Sequence, residues 1–181
     1  MRHDQDAWLI LLALTLMSSA QAQHLSKAEL EARKERIAAT YKVEKAACRQ
    51  HTGNAGDVCK AEAKAHKKIA EAELALANSG RADDRTRLLE VKANSAYDVT
   101  EEKCDDQAGQ AKELCQQEAR TTRDKALADA RMDKDIRHSR AHAEAHKVDA
   151  DHKLAAEKCE ALRGTHKSEC LHAADQQFGR H

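Results

Sequence analysis

Cys104-Asp105-Asp106-Gln107-Ala108-Gly109-Gln110-Ala111-Lys112-Glu113-Leu114-Cys115 is the stretch that decides the fold. Two cysteines with ten residues between them enclose a glycine five positions after the first. The same arrangement surrounds Gly53 between Cys48 and Cys59, and Gly164 between Cys159 and Cys170, so the chain carries three copies spaced 55 or 56 residues apart. A period of that size defines a repeat architecture. On one continuous helix, residues 11 apart share a face but lie about 16 Å apart along the axis, far beyond the separation a disulfide tolerates. The segment between the cysteines must therefore fold back, and the glycine marks the bend. Stapling within each repeat, Cys48–Cys59, Cys104–Cys115 and Cys159–Cys170, is the expected pairing.

The flanks are helix-forming. Proline is absent, aromatic residues make up 2% of the 181 residues and charged residues 34%. Alanine supplies most of the apolar count, and burying alanine removes little area from water. A thick core is excluded, and thin helix-on-helix packing is the ordered alternative. Ser26-Lys27-Ala28-Glu29 is a capping box that starts the first helix. Gly53 suits a left-handed helix end with Asn54 capping the next helix, and Asn78-Ser79-Gly80 forms a further break before the helix-starting Asp83 and Asp84. No Gly or Pro occurs from Gln110 to Arg163, a stretch long enough for one helix of roughly 80 Å. Helices are expected near 27–51, 55–77, 83–108, 110–163 and 165–178, with no strands. Leu89, Ala93, Tyr97, Thr100 and Cys104 form a larger stripe to meet the small stripe of Cys115, Ala119, Thr122 and Ala126. The fold class is all-α and elongated: three tandem disulfide-stapled antiparallel helical hairpins with coiled-coil-like pairing. Their expected bounds are 23–80, 81–135 and 136–181.

Residues 1–22 read as a signal peptide. A short apolar run from Trp8 to Met17 precedes Ala20-Gln21-Ala22, which fits cleavage before Gln23. An uncleaved membrane anchor is the competing reading, but ten apolar residues are too few to span a hydrocarbon core that needs about 20; after cleavage no membrane insertion is expected. Export to the periplasm or beyond agrees with an even number of cysteines at repeated spacing. The 31 Lys and Arg balance the 31 Asp and Glu, and no basic block stands apart. That balance argues against a nucleic-acid partner.

His138, His142 and His146 recur every fourth residue, and Asp135, Asp149 and His152 fall within the same broad sector of the helix. Imidazoles at i and i+4 can chelate Cu, Ni or Zn, with further ligands required from another helix. The histidines would also take up charge as pH falls through about 6.5. The plainer reading is a solvated flank. No nucleophile with a base, phosphate loop or distinctive carboxylate pair is present, which points away from an enzyme and from a resident cofactor.

The repeated Tyr-x-Val…Lys-Cys…Gly-x-Ala-Lys-x-x-Cys…Glu-Ala is clearest at Tyr97, Val99, Lys103, Cys104, Gly109, Ala111, Lys112, Cys115, Glu118 and Ala119. It resembles a group of uncharacterised exported proteobacterial proteins with helical Cys-repeat segments, sometimes labelled TolA-like or cell-envelope biogenesis proteins. The resemblance covers roughly residues 30–178 and implies a place in the cell envelope. The expected function is that of a periplasmic, non-enzymatic structural or interaction module, with an envelope protein or a second copy as partner. The alternative is a divalent-metal-binding or acid- and metal-stress protein that uses the histidine stripe.

Overall fold

A computed structural model describes residues 24–180, and the expected signal peptide with its cleavage site lies outside them. Five α-helices account for nearly all of this span: α1 (Lys27–Ala47), α2 (Asn54–Ser79), α3 (Ala82–Cys104), α4 (Gly109–Cys159) and α5 (Thr165–Gln177). A single 3-10 turn, Cys48–Gln50, follows α1, and no strand occurs among the described residues. α1 packs on α2, α2 on α3, α3 on the first part of α4, and α5 on its end; no other helices come together among the described residues. Three antiparallel hairpins, α1/α2, α3/α4 and α4/α5, thus make an elongated, open layer in which each helix leans only on its chain neighbours.

All three cysteine pairs close within their own repeat, with Cα–Cα distances of 5.5, 5.7 and 5.7 Å. The first cysteine of each is the most deeply buried part of its hairpin, Cys48 at 1%, Cys104 at 0% and Cys159 at 1% exposure. The reversals share one hydrogen bond. The amides of His51, Gln107 and Leu162 donate to the carbonyls of Cys48, Cys104 and Cys159 at 3.1, 3.0 and 3.0 Å. The bend glycine then holds φ at 60° in Gly53, 56° in Gly109 and 63° in Gly164. An added Cβ would meet open space at each of them. The requirement is therefore for backbone conformation, which L side chains adopt at a cost of order 1–3 kcal/mol. In the second and third bends, Lys112–Asp105 at 2.9 Å and Lys167–Glu160 at 2.7 Å clamp the turn from equivalent positions.

The helix starts and stops follow from local chemistry. The Ser26 capping box forms: Glu29 N–H donates to the Ser26 hydroxyl at 3.2 Å, and Ser26 N–H donates to the Glu29 carboxylate at 2.9 Å. That bonding holds the Glu29 carboxyl below its ordinary range. Gly80 ends α2 with φ 62° and ψ 5°. Past that turn, Asp84 accepts from the Ser79 hydroxyl at 2.5 Å and from Arg81 Nε at 3.1 Å, which lowers its pKa.

Several boundaries differ from the sequence expectation. α1, α3 and α4 stop at or one residue before their cysteines rather than at 51, 108 and 163, because the tight turn begins at the stapled residue itself. Gly53, with ψ −148°, is the N-cap of α2, and Asn54 is its first helical residue. The Asn54 side chain does not cap the helix; it donates to the Glu102 carbonyl of α3 at 2.8 Å. The boundary near 135 between the second and third hairpins lies within the 51-residue α4, as the helix expected over 110–163 requires.

Each stapled loop is worth about 3 kcal/mol in the chain-entropy model. The buried core consists almost wholly of alanine and cysteine, with Leu74 its largest side chain. Full reduction is therefore expected to lower the helical circular-dichroism signal and the thermal midpoint together. An unchanged melt of the reduced chain would show that the seams alone hold the hairpins.

Candidate functional site

The first candidate surface is the seam of each hairpin. The expected stripes of α3 and α4 do face one another: Ala93, Tyr97, Thr100, Ala119, Thr122 and Ala126 line a shallow groove of about 290 Å³. Small side chains on α4 leave this groove, and a cation fills its mouth by stacking on the aromatic ring. The Arg123 guanidinium lies 4.4 Å from the centre of the Tyr97 ring. Hydrogen bonding to Asp124 raises the Arg123 pKa. One repeat earlier, the Lys67 ammonium lies 5.2 Å from the centre of Tyr41. One repeat later, the corresponding positions hold His152 and Phe178, whose rings meet edge to face at 5.8 Å. The same seam position is thus filled three times, by cation on ring, cation on ring, and ring on ring.

That equivalence assigns His152 to the architecture. Its Nε2 pairs with the Asp175 carboxylate at 2.7 Å, and the ring is largely covered by α5. The histidine stripe proper behaves differently. The rings of His142 and His146 stand 4.5 Å apart, on helix surface where every residue from 138 to 151 is exposed. His138 lies one turn before them. His152 is rotated away, because six residues beyond His146 leaves it about 120° away round the helix. The structure therefore brings together two of the four candidate ligands. No group of three or more His, Cys, Asp or Glu side chains converges to hold a metal ion among the described residues. A complete coordination sphere would need ligands from solvent or another molecule.

The second hairpin is tied at its open end by charge. Arg137 of α4 donates through Nη2 to the Thr86 hydroxyl at 2.8 Å and pairs with Asp133. Lys134 pairs with Asp83 at 3.5 Å and Arg85 with Asp133 at 3.7 Å. Between α2 and α3 run three further pairs, Glu62–Lys103 at 2.8 Å, Lys68–Asp98 at 2.9 Å and Glu73–Lys92 at 2.9 Å. Reading the sequence for periodicity missed this second, non-hairpin seam; the signal for it was the alternation of charge across the Gly80 break.

The hollows around Tyr41, Ala72, Met132 and Leu154 are open grooves on helix surfaces. None of the described helices is long and apolar enough to cross a membrane. No protein-family model, curated protein or solved structure matches the chain.

Ser95 is 1% exposed and its hydroxyl has no hydrogen-bond partner, whereas the equivalent positions in the other repeats hold Ala39 and Ala150. An unsatisfied buried hydroxyl costs about 1–3 kcal/mol, and alanine is the better helix former. Ser95→Ala is expected to raise stability by about 1 kcal/mol in denaturant unfolding. A loss of stability would reveal a bond the hydroxyl makes.

Proposed function

We propose that the chain is an exported, non-enzymatic helical-repeat protein that serves the cell envelope as a structural or interaction module. The observation that carries this reading is α4. It runs for 51 residues, about 76 Å at 1.5 Å per residue, and from 138 to 151 it is exposed on every side. A polar helix held out in this way offers length and surface rather than a pocket. Three disulfides point to an oxidising compartment, which fits export. The envelope setting draws on the likeness to TolA-like helical Cys-repeat proteins. Crosslinking in intact cells followed by mass spectrometry is expected to recover an envelope protein joined to surface lysines of the chain. Recovery of only random neighbours in proportion to their abundance would remove the partner reading.

A second reading is favoured by the neighbouring rings of His142 and His146: a periplasmic binder of divalent metal, or a metal- and acid-stress protein. Two neutral imidazoles at i and i+4 suit Cu²⁺ or Ni²⁺, and metal bound by such a pair is displaced by acid. Calorimetry with Cu²⁺ separates the two readings. Metal handling requires tight, stoichiometric binding that is lost on acidification and in a His138/His142/His146→Ala variant. Equal weak binding by both chains leaves the stripe as solvated helix surface.

A further inference from the structure

The second face of α4 lacks the cover that its counterpart on α2 has. Repeat one maps onto repeat two by a shift of 56 residues and repeat two onto repeat three by 55. α2 packs α1 on one side and α3 on the other. The first half of α4 is the counterpart of α2, and the second half is the counterpart of α3. Because α4 never folds back, these two halves cannot reach each other within one chain. The surface corresponding to the α2–α3 seam is therefore bare. Leu76 and Val99 are half-buried on that seam, whereas their counterparts Met132 and Leu154 are 56% and 52% exposed. Ile136, at the position of Gly80, is 44% exposed.

Charge identifies what covers this face. Carried over by the repeat shift, Glu62–Lys103 becomes Glu118 and Lys158, and Glu73–Lys92 becomes Asp129 and Lys147. Lys68–Asp98 becomes Asp124 and Lys153. All three remain opposite in sign, and the third has exchanged its charges, as a co-adapted pair would. Within the monomer, Glu118, Asp129, Lys153 and Lys158 are exposed and make no ion pair among the described residues. The residue pairs share a midpoint at about residue 138, so an antiparallel copy of α4 satisfies each pair twice about one two-fold axis. Between the flanking charges runs a stripe of Ala128, Met132, Ser139, Ala143, His146 and Ala150, at helical spacing on one side of α4.

We propose that the partner for this face is a second copy of the chain: two α4 helices pack antiparallel about Ser139, each first half taking the second half of the other copy as α2 takes α3. The succession α3, α4, second-copy α4, second-copy α5 then repeats the order α1, α2, α3, α4. The dimer covers the helix stretch that stands bare in the monomer. This inference rests on the interaction-module reading and names a partner for one of its surfaces.

Sedimentation equilibrium of the purified, oxidised chain tests the association, and single cysteines test its register, since the described chain has no free thiol. Ser139→Cys is expected to give covalent dimer with a short bismaleimide. Ala128→Cys alone is expected to give none, because its two copies lie about 30 Å apart in an antiparallel pair. Mixed with Ala150→Cys, it is expected to crosslink. Reversing Glu118 and Asp129 to lysine should weaken the dimer at least about tenfold, and adding Lys147→Glu and Lys158→Glu should restore it. A monomer at all concentrations overturns the proposal, as does self-crosslinking of Ala128→Cys, the mark of a parallel pair. A monomer that still crosslinks to an envelope protein in cells would overturn the dimer and leave the module reading standing.

Discussion

The disulfide at the base of each bend is the constraint on which the other contacts depend. Two helices lined with alanine approach closely but remove little apolar area from water, so at about 25 cal/mol per Å² their seam offsets only part of the entropy of ordering them. Closing an 11-residue separation confines the unfolded chain and fixes the register of everything beyond it. With Cys104 held against Cys115, helical spacing alone brings Tyr97 to Arg123 and Thr86 to Arg137. The bend glycine is the other half of the device, since the turn that lets the sulfurs meet needs a positive φ five residues after the first cysteine.

Features anchored to these residues were legible in the sequence; those set by packing between repeats were less so. The in-repeat pairing, the Ser26 capping box and the facing stripes of α3 and α4 followed from spacing. Helix ends were overshot by about four residues, because Asp105-Asp106 and Glu160-Ala161-Leu162 contain no breaker and only the staple ends the helix there. Asn54 looks like a cap from its neighbours, yet α3 lies close enough to claim its side chain. His152 belongs both to the histidine stripe and, one repeat after Tyr97, to the hairpin seam, and the contacts with Asp175 and Phe178 decide for the second.

The α2–α3 seam shows why a chain with so few large apolar residues does not stop at isolated hairpins. Its ion pairs join partly exposed groups and each contributes about 0–1 kcal/mol, so their main effect is to set direction and register. Opposite charges placed in order along two antiparallel helices match in one alignment, and a slip of five or six residues sets Glu62 against Asp98 and Lys68 against Lys92. Stability comes from the staples, and charge selects which seams form.

Gly80 and Ile136 then set how successive helices are arranged among the described residues. They occupy the same place in successive repeats. Glycine adopts the left-handed helix end that sends α3 back along α2, while isoleucine favours continued right-handed helix. One residue type thus separates a junction whose halves pack on each other from a junction whose halves point in opposite directions. The second arrangement keeps the charge order of the first without the geometry to use it within one chain. An antiparallel neighbour is the arrangement that supplies this geometry, because reversing one α4 against another aligns its first half with the other's second half, as Gly80 aligns α2 with α3.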